Sequence, residues 1–307
     1  MKWIMLFAAC SLFGTERNVY QAIPDHKHPR MCDWVRLQEF LKRGDRPELM
    51  QLESAIDPGG VLYDYRCRAR RFRLIGRHFW QRPRAEIVKF GEKGDCCVIT
   101  YASFNQHYPE AVKLLQEQLE KIGFQGHFFY RIGGWPDLEG GSLTLAHVPY
   151  AFKPCLFREA KRLGYRKILW LDASIRPLKP LDFAFQKMED TGVFFYPSGN
   201  DLARYCSQIA ADYFDVSAEE LRGMSSVAAG IIGLDLDHPN GQKVLDLWME
   251  AAQNEEGFLS PRPEQNALSM IAYQLGLGDW EPFETLSFQE ETNSERTRFF
   301  IDYRSVQ

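Results

Sequence analysis

From residue 95 onward, short apolar runs alternate with stretches in which apolar side chains recur every three or four positions. The run over 96–101 (CCVITY) reads as a buried strand. A loop over 102–105 then leads into a helix over about 109–122, where Leu114, Leu115, Leu119 and Ile122 recur at helical spacing and Gly123 supplies a stop. A second strand follows over 127–132, so strand, helix and strand form a βαβ unit with parallel strands. Gly133-Gly134 and Gly140-Gly141 mark a flexible connection, and a helix over 155–163 feeds a third strand over 168–171 (ILWL). Beyond it come a helix over 183–190, a strand over 192–196 and a polar stretch with Asn200, Asp201, Arg204 and Asp212. A strand over 227–234 and two amphipathic helices, one after the 237–241 turn and one starting at Pro263, complete the alternation. The order predicts an α/β fold: a Rossmann-like, mostly parallel sheet flanked by helices.

The third strand ends abruptly at Asp172. A carboxylate at the end of an apolar run is costly to bury unless it is paired or metal-bound. Ser174 follows two residues later, and Pro177 and Pro180 then oppose further regular pairing. Two oxygen ligands therefore stand at the carboxyl end of a strand, the edge at which open α/β sheets bind ligands. The same carboxylate could instead cap a local turn or pair with Arg176 or Lys179. Small residues at Ala228, Ala229 and Gly230 suggest a backbone that another group approaches closely, or one that relieves crowding between elements.

Composition adds limits. Lys and Arg number 37 against 41 Asp and Glu, a net charge of −4, so any attraction to nucleic acid or anionic lipid must be local. One such place is Arg66 to Arg84, with eight arginines, no acid, and Phe72, Phe79 and Trp80 interleaved. Membrane headgroups, a phosphorylated acceptor or RNA would suit it, as would this chain's own carboxylates. The 7 cysteines show no zinc spacing and no disulfide framework, and His107, His147 and His238 fall in loops without ligand spacing. Residues 1–14 carry Lys2 and then an uncharged run, too short to span a bilayer but of a length suited to a signal or anchor segment, which favours membrane association or the secretory pathway over the cytoplasm. Residues 15–94 read as an N-terminal stem or subdomain, and 281–307 as a C-terminal tail.

VITYASF at 98–104, PYAFKP at 149–154, ILWLDASI at 168–175, AAGIIGLDLDHPN at 228–240 and PEQNALS at 263–269 occur in that order with helices between them. Over roughly 95–280 the chain thereby resembles the GT-A-fold nucleotide-diphospho-sugar transferases, and more narrowly a set of bacterial glycosyltransferase-like proteins. The resemblance implies transfer of a sugar from a nucleotide-diphosphate donor to a hydroxyl of a glycan, lipid or protein acceptor. It implies a donor lying over Thr100, Tyr101 and Ser103, with Lys153 near its phosphates. Asp172 and Ser174 stand where the family's Asp-x-Asp holds Mn²⁺ or Mg²⁺, although Ser174 replaces a carboxylate with a weaker hydroxyl ligand. Glu264 and Gln265 match an acidic-Gln pair near the acceptor side of related transferases, where a carboxylate suits a catalytic base; helix capping explains them equally well. For Lys153 the plain alternative is a solvated residue before a proline. The rival function is a non-catalytic sugar- or nucleotide-binding protein that keeps a degenerate domain.

Overall fold

The computed structural model describes residues 84–102, 108–132, 136, 145, 148, 150–254, 256–260, 262–278, 280, 286–287 and 300–302. The apolar start at 1–14, the basic stretch as far as Arg82, and Ser103 lie outside the described residues. Strands β1 (Arg84–Lys89), β2 (Cys96–Ala102), β3 (His127–Ile132), β4 (Lys167–Leu171), β6 (Val193–Asp201) and β7 (Ser225–Asp235) form one sheet in the order β1-β3-β2-β4-β7-β6. β2 is parallel to both β3 and β4, as the βαβ reading expects. β7 runs antiparallel to β4 and to β6, so β6 points the same way as β2, β3 and β4. The sheet is thus mostly one-directional, with β1 and β7 reversed.

Helices cover both faces because the strands are apolar on both sides. Cys97, Ile99 and Tyr101 of β2 and Ile168 and Trp170 of β4 pack with α2 (Phe152–Arg162), α6 (Pro239–Asn254) and α7 (Pro263–Gln274). The alternate residues Cys96, Val98, Leu169 and Leu171 pack with α1 (Tyr108–Lys121) and α3 (Asp182–Thr191). A strand repeat of two residues makes this division unavoidable.

The structure differs from the sequence reading in four places. The sheet begins at Arg84, ahead of the boundary expected at 95, because β1 pairs antiparallel with β3. β6 runs on to Asp201 through Pro197, Ser198, Gly199 and Asn200, residues that carry no strand signal; the register to β7 shifts on either side of Pro197, and the extra length is accommodated there. The polar stretch after it holds α4 (Gln208–Tyr213) and α5 (Ala218–Gly223), the latter closed by a Ser217–Glu220 capping box. Pro177 ends β5 (Ile175–Pro177), which lies at the edge of a small second sheet with β9 (Phe300–Asp302) and β8 (Leu286–Ser287). Proline is tolerated at such an edge, and the C-terminal segment returns to the domain where a tail was expected. Phe300 is fully buried against Phe183, Phe194 and Tyr196.

Gly241, in the first turn of α6, lets that helix meet the end of β7. A Cβ there would stand 2.0 Å from the Asp235 carbonyl oxygen and 2.6 Å from that of Gly192. Both neighbours are backbone and cannot swing aside. Gly241→Ala is expected to destabilise the protein by about 2 kcal/mol or more in urea unfolding, whereas Gly223→Ala, with nothing within 4 Å, should stay within about 0.5 kcal/mol.

Candidate active site

The residues singled out in the sequence converge where β4 ends. Asp172 continues the face of β4 that carries Trp170, two positions earlier, so both side chains point toward the α2 layer. The Trp170 indole N–H donates to Asp172 Oδ1 at 2.7 Å. The Asp172 N–H donates to the Gly230 carbonyl at 2.8 Å, and the Asp172 carbonyl accepts from Ile175 N–H, closing the turn into β5.

Lys153 supplies the compensating charge. It lies in the first turn of α2, and its side chain is only 4% exposed. Its ammonium sits 3.2 Å from Asp172 Oδ1 and 3.1 Å from Glu264 Oε1, and donates to the Ala229 carbonyl at 2.7 Å. It also lies 5.2 Å from the centroid of the Trp170 ring, within cation–π range. A cation at a helix N-terminus opposes the helix dipole, and α2 has no acid of its own in that turn. The two carboxylates from outside α2 offset both that repulsion and the desolvation. The solvated lysine entertained from sequence is therefore replaced by a buried one, and Asp172 has Lys153 as an ion-pair partner.

Glu264 comes from the first turn of α7, where its charge suits the dipole. The Trp248 indole N–H of α6 donates to the Glu264 carbonyl at 3.2 Å and fixes that turn. The Glu264 side chain is 8% exposed against 20% for Asp172. Gln265, half-buried, donates from its amide to Ser226 Oγ at 2.8 Å, with Ser198 Oγ at 3.5 Å. Neither residue makes the N-cap of α7: that position is Arg262, and it has no capping side-chain bond.

The bend in β7 completes the site. Val227 and Ala229 face the α2 layer and so do Ile232 and Leu234, so the alternation changes phase around Gly230, beside the register shift to β6. The Ala229 carbonyl is thereby turned to Lys153 and the Gly230 carbonyl to the Asp172 N–H. Ala228-Ala229-Gly230 is small because a lysine and a strand end press against it.

The other expected donor-binding residues fare differently. Thr100 is fully buried on the α1 side of the sheet, and its hydroxyl has no hydrogen-bond partner among the described residues. Tyr101 is buried with its ring stacked on Phe152, centroids 4.7 Å apart. Contact with a donor at these two positions would run through backbone. A divalent ion at Asp172 and Ser174 fits this arrangement poorly. Asp172 Oδ1 already holds an ammonium and an indole N–H, Ser174 is 8% exposed, and no three His, Cys, Asp or Glu side chains among the described residues stand together as a metal cage.

No protein-family model and no curated protein sequence matches the chain. Two glycosyltransferases are among the solved structures similar to it. One is a glycosyltransferase involved in the glycosylation of the major capsid of PBCV-1, at 14% identity and a TM-score of 0.41, covering 68% of this chain and 94% of that one. The other is the galactosyltransferase LgtC in complex with donor and acceptor sugar analogs, at 13% identity and a TM-score of 0.40, covering 68% and 87%. With overlaps of that size, the roles of individual residues rest on this chain's own side chains. Among the described residues, no helix is long and apolar enough to cross a membrane.

Removing Lys153 leaves two carboxylates facing each other in a nearly dry site. Lys153→Met is expected to cost roughly 3 kcal/mol in urea unfolding, and Glu264→Gln about 1 kcal/mol, because the ammonium then keeps Asp172 and the Ala229 carbonyl.

Proposed function

We propose that the protein is a glycosyltransferase that moves a sugar from a nucleotide-diphosphate donor to a hydroxyl of an acceptor. The observation that carries this reading is the meeting of Asp172, Lys153 and Glu264, drawn from three distant segments, at the edge where the parallel strands β2 and β4 end. That edge is where α/β sheets of this kind bind nucleotides. The motif resemblance over 95–280 agrees with it.

Roles follow from access. A carboxylate accepts hydrogen bonds, and Asp172, the more exposed of the two, is placed to take them from ribose or sugar hydroxyls of the donor. Lys153, one layer below, fixes that carboxylate in a poorly solvated place where the ion pair acts strongly. Its ammonium has three oxygen partners for its three N–H groups, so it acts by holding Asp172 and not as a phosphate ligand. Glu264 is buried against Lys153, which favours holding the ammonium over taking the acceptor's proton. Gln265, half-buried and bonded to the buried Ser226 hydroxyl, is assigned to the acceptor side by the motif resemblance alone.

A second reading has one observation in its favour. The burial of Glu264 and of Ser174 leaves Asp172 as the accessible acid of the cluster, which suits a domain that binds a sugar nucleotide without turning it over. One experiment separates the two. In a screen of common nucleotide sugars, the transferase reading predicts hydrolysis or transfer with one preferred donor, and Asp172→Asn should lower kcat/KM by about 100-fold or more while the melting temperature falls by only a few degrees, as the loss of one ion pair requires. Binding without turnover of any donor would establish the second reading.

A further inference from the structure

Tyr205 lies just past the end of β6, and two guanidinium groups gather on it. The Arg262 guanidinium carbon is 3.9 Å from the centroid of the Tyr205 ring, and that of Arg204 is 5.7 Å from it. Neither arginine forms an ion pair among the described residues. Three other arginines are held by oxygens: Arg131 is forked onto Glu159, Arg166 lies 3.5 Å from Asp237, and Arg176 donates to the Ala173, Ile175 and Ala111 carbonyls. Two cations gathered on one ring repel each other, and an anion held by both removes that repulsion. A stacked guanidinium keeps its N–H edge free in the ring plane, which suits a forked contact to an oxyanion.

The mounting is firm. The Asn266 side-chain amide donates to the Tyr205 carbonyl, and Ser207 N–H donates to Ser260 Oγ at 3.2 Å, so the segment after β6 is tied to the segment entering α7. Arg262 directly precedes Pro263 and Glu264. β6 runs in the same direction as β2 and β4 and continues past the level at which β4 ends, since Asp201 pairs with Ser225 whereas Leu171 pairs with Ile231, so its end stands beyond the edge that carries Asp172. In the sheet order it lies three strands from β2, on the order of 14 Å at ordinary strand spacing, and therefore away from the donor side.

We propose that Arg204, Tyr205 and Arg262 form a binding site for an oxyanion carried by the acceptor, so that the accepting sugar bears a phosphate or a carboxylate. The assignment to the acceptor rests on the transferase reading; the oxyanion site itself does not.

The test is a set of NMR-monitored titrations of the full chain with glucose 6-phosphate, glucuronate, glucose and UDP. The anionic sugars should bind about tenfold or more tightly than glucose, and Arg204→Gln and Arg262→Gln should each remove about tenfold of that affinity while leaving UDP binding within about twofold. Anionic sugars that bind no better than glucose would overturn the proposal. So would variants that weaken UDP instead, which would make the donor diphosphate the occupant, or variants that lower the melting temperature while the preference for anionic sugars persists. If UDP fails to bind while that preference holds, the transferase reading falls and the oxyanion site stands.

Discussion

One buried ammonium organises the rim of this domain. Lys153 joins α2, the end of β4, the bend of β7 and the first turn of α7 through oxygens of Asp172, Ala229 and Glu264. Each contact alone is ordinary. Together they satisfy the three N–H groups of a cation that would otherwise be excluded from a place so poor in water. The charges of the trio do not cancel, since two carboxylates meet one ammonium, and the remaining negative character is expressed at Asp172, the member with access to solvent. A site built in this way presents a fixed acceptor of hydrogen bonds on a support that has little freedom to move.

The surrounding fold explains why that support can exist. β4 is flanked by β2 and β7 and packed on both faces, so Asp172 projects from a strand held on every side. The phase change in β7 turns two consecutive carbonyls toward the site, one for a side chain and one for a backbone amide. β6 then carries the chain past that edge to Tyr205. Donor-side and acceptor-side chemistry can thus be laid out across one edge of a single sheet, with Asp172 between them.

Much of this was legible in the sequence. The alternation of apolar runs and helical repeats gave the class of fold, the parallel β2, β3 and β4, and the location of Asp172 at a strand end. The Ala228-Ala229-Gly230 run signals either a close approach or relief of crowding between elements, and in the structure Lys153 and the Asp172 N–H are what approach it. The partner of Asp172 was harder to see, because Lys153 is nineteen positions away and precedes a proline, and only packing reveals that it points inward. The Trp170-x-Asp172 spacing did carry a usable signal, since residues two apart on a strand share a face and an indole N–H seeks an acceptor. The reversal of β7 and the run of β6 through Pro197 and Gly199 left no periodic trace, because bulged and polar strand segments depend on pairing with neighbours and not on local propensity. The arginines on Tyr205 lie 58 positions apart, a separation that no local pattern bridges.

The claim on which the account depends is that Lys153 couples Asp172 to Glu264. The direct measurement is a double-mutant cycle in urea unfolding that combines Lys153→Met with Asp172→Asn and, separately, with Glu264→Gln. The account predicts coupling energies on the order of 1–3 kcal/mol for both pairs. Effects that simply add, within about 0.5 kcal/mol for either pair, would contradict it.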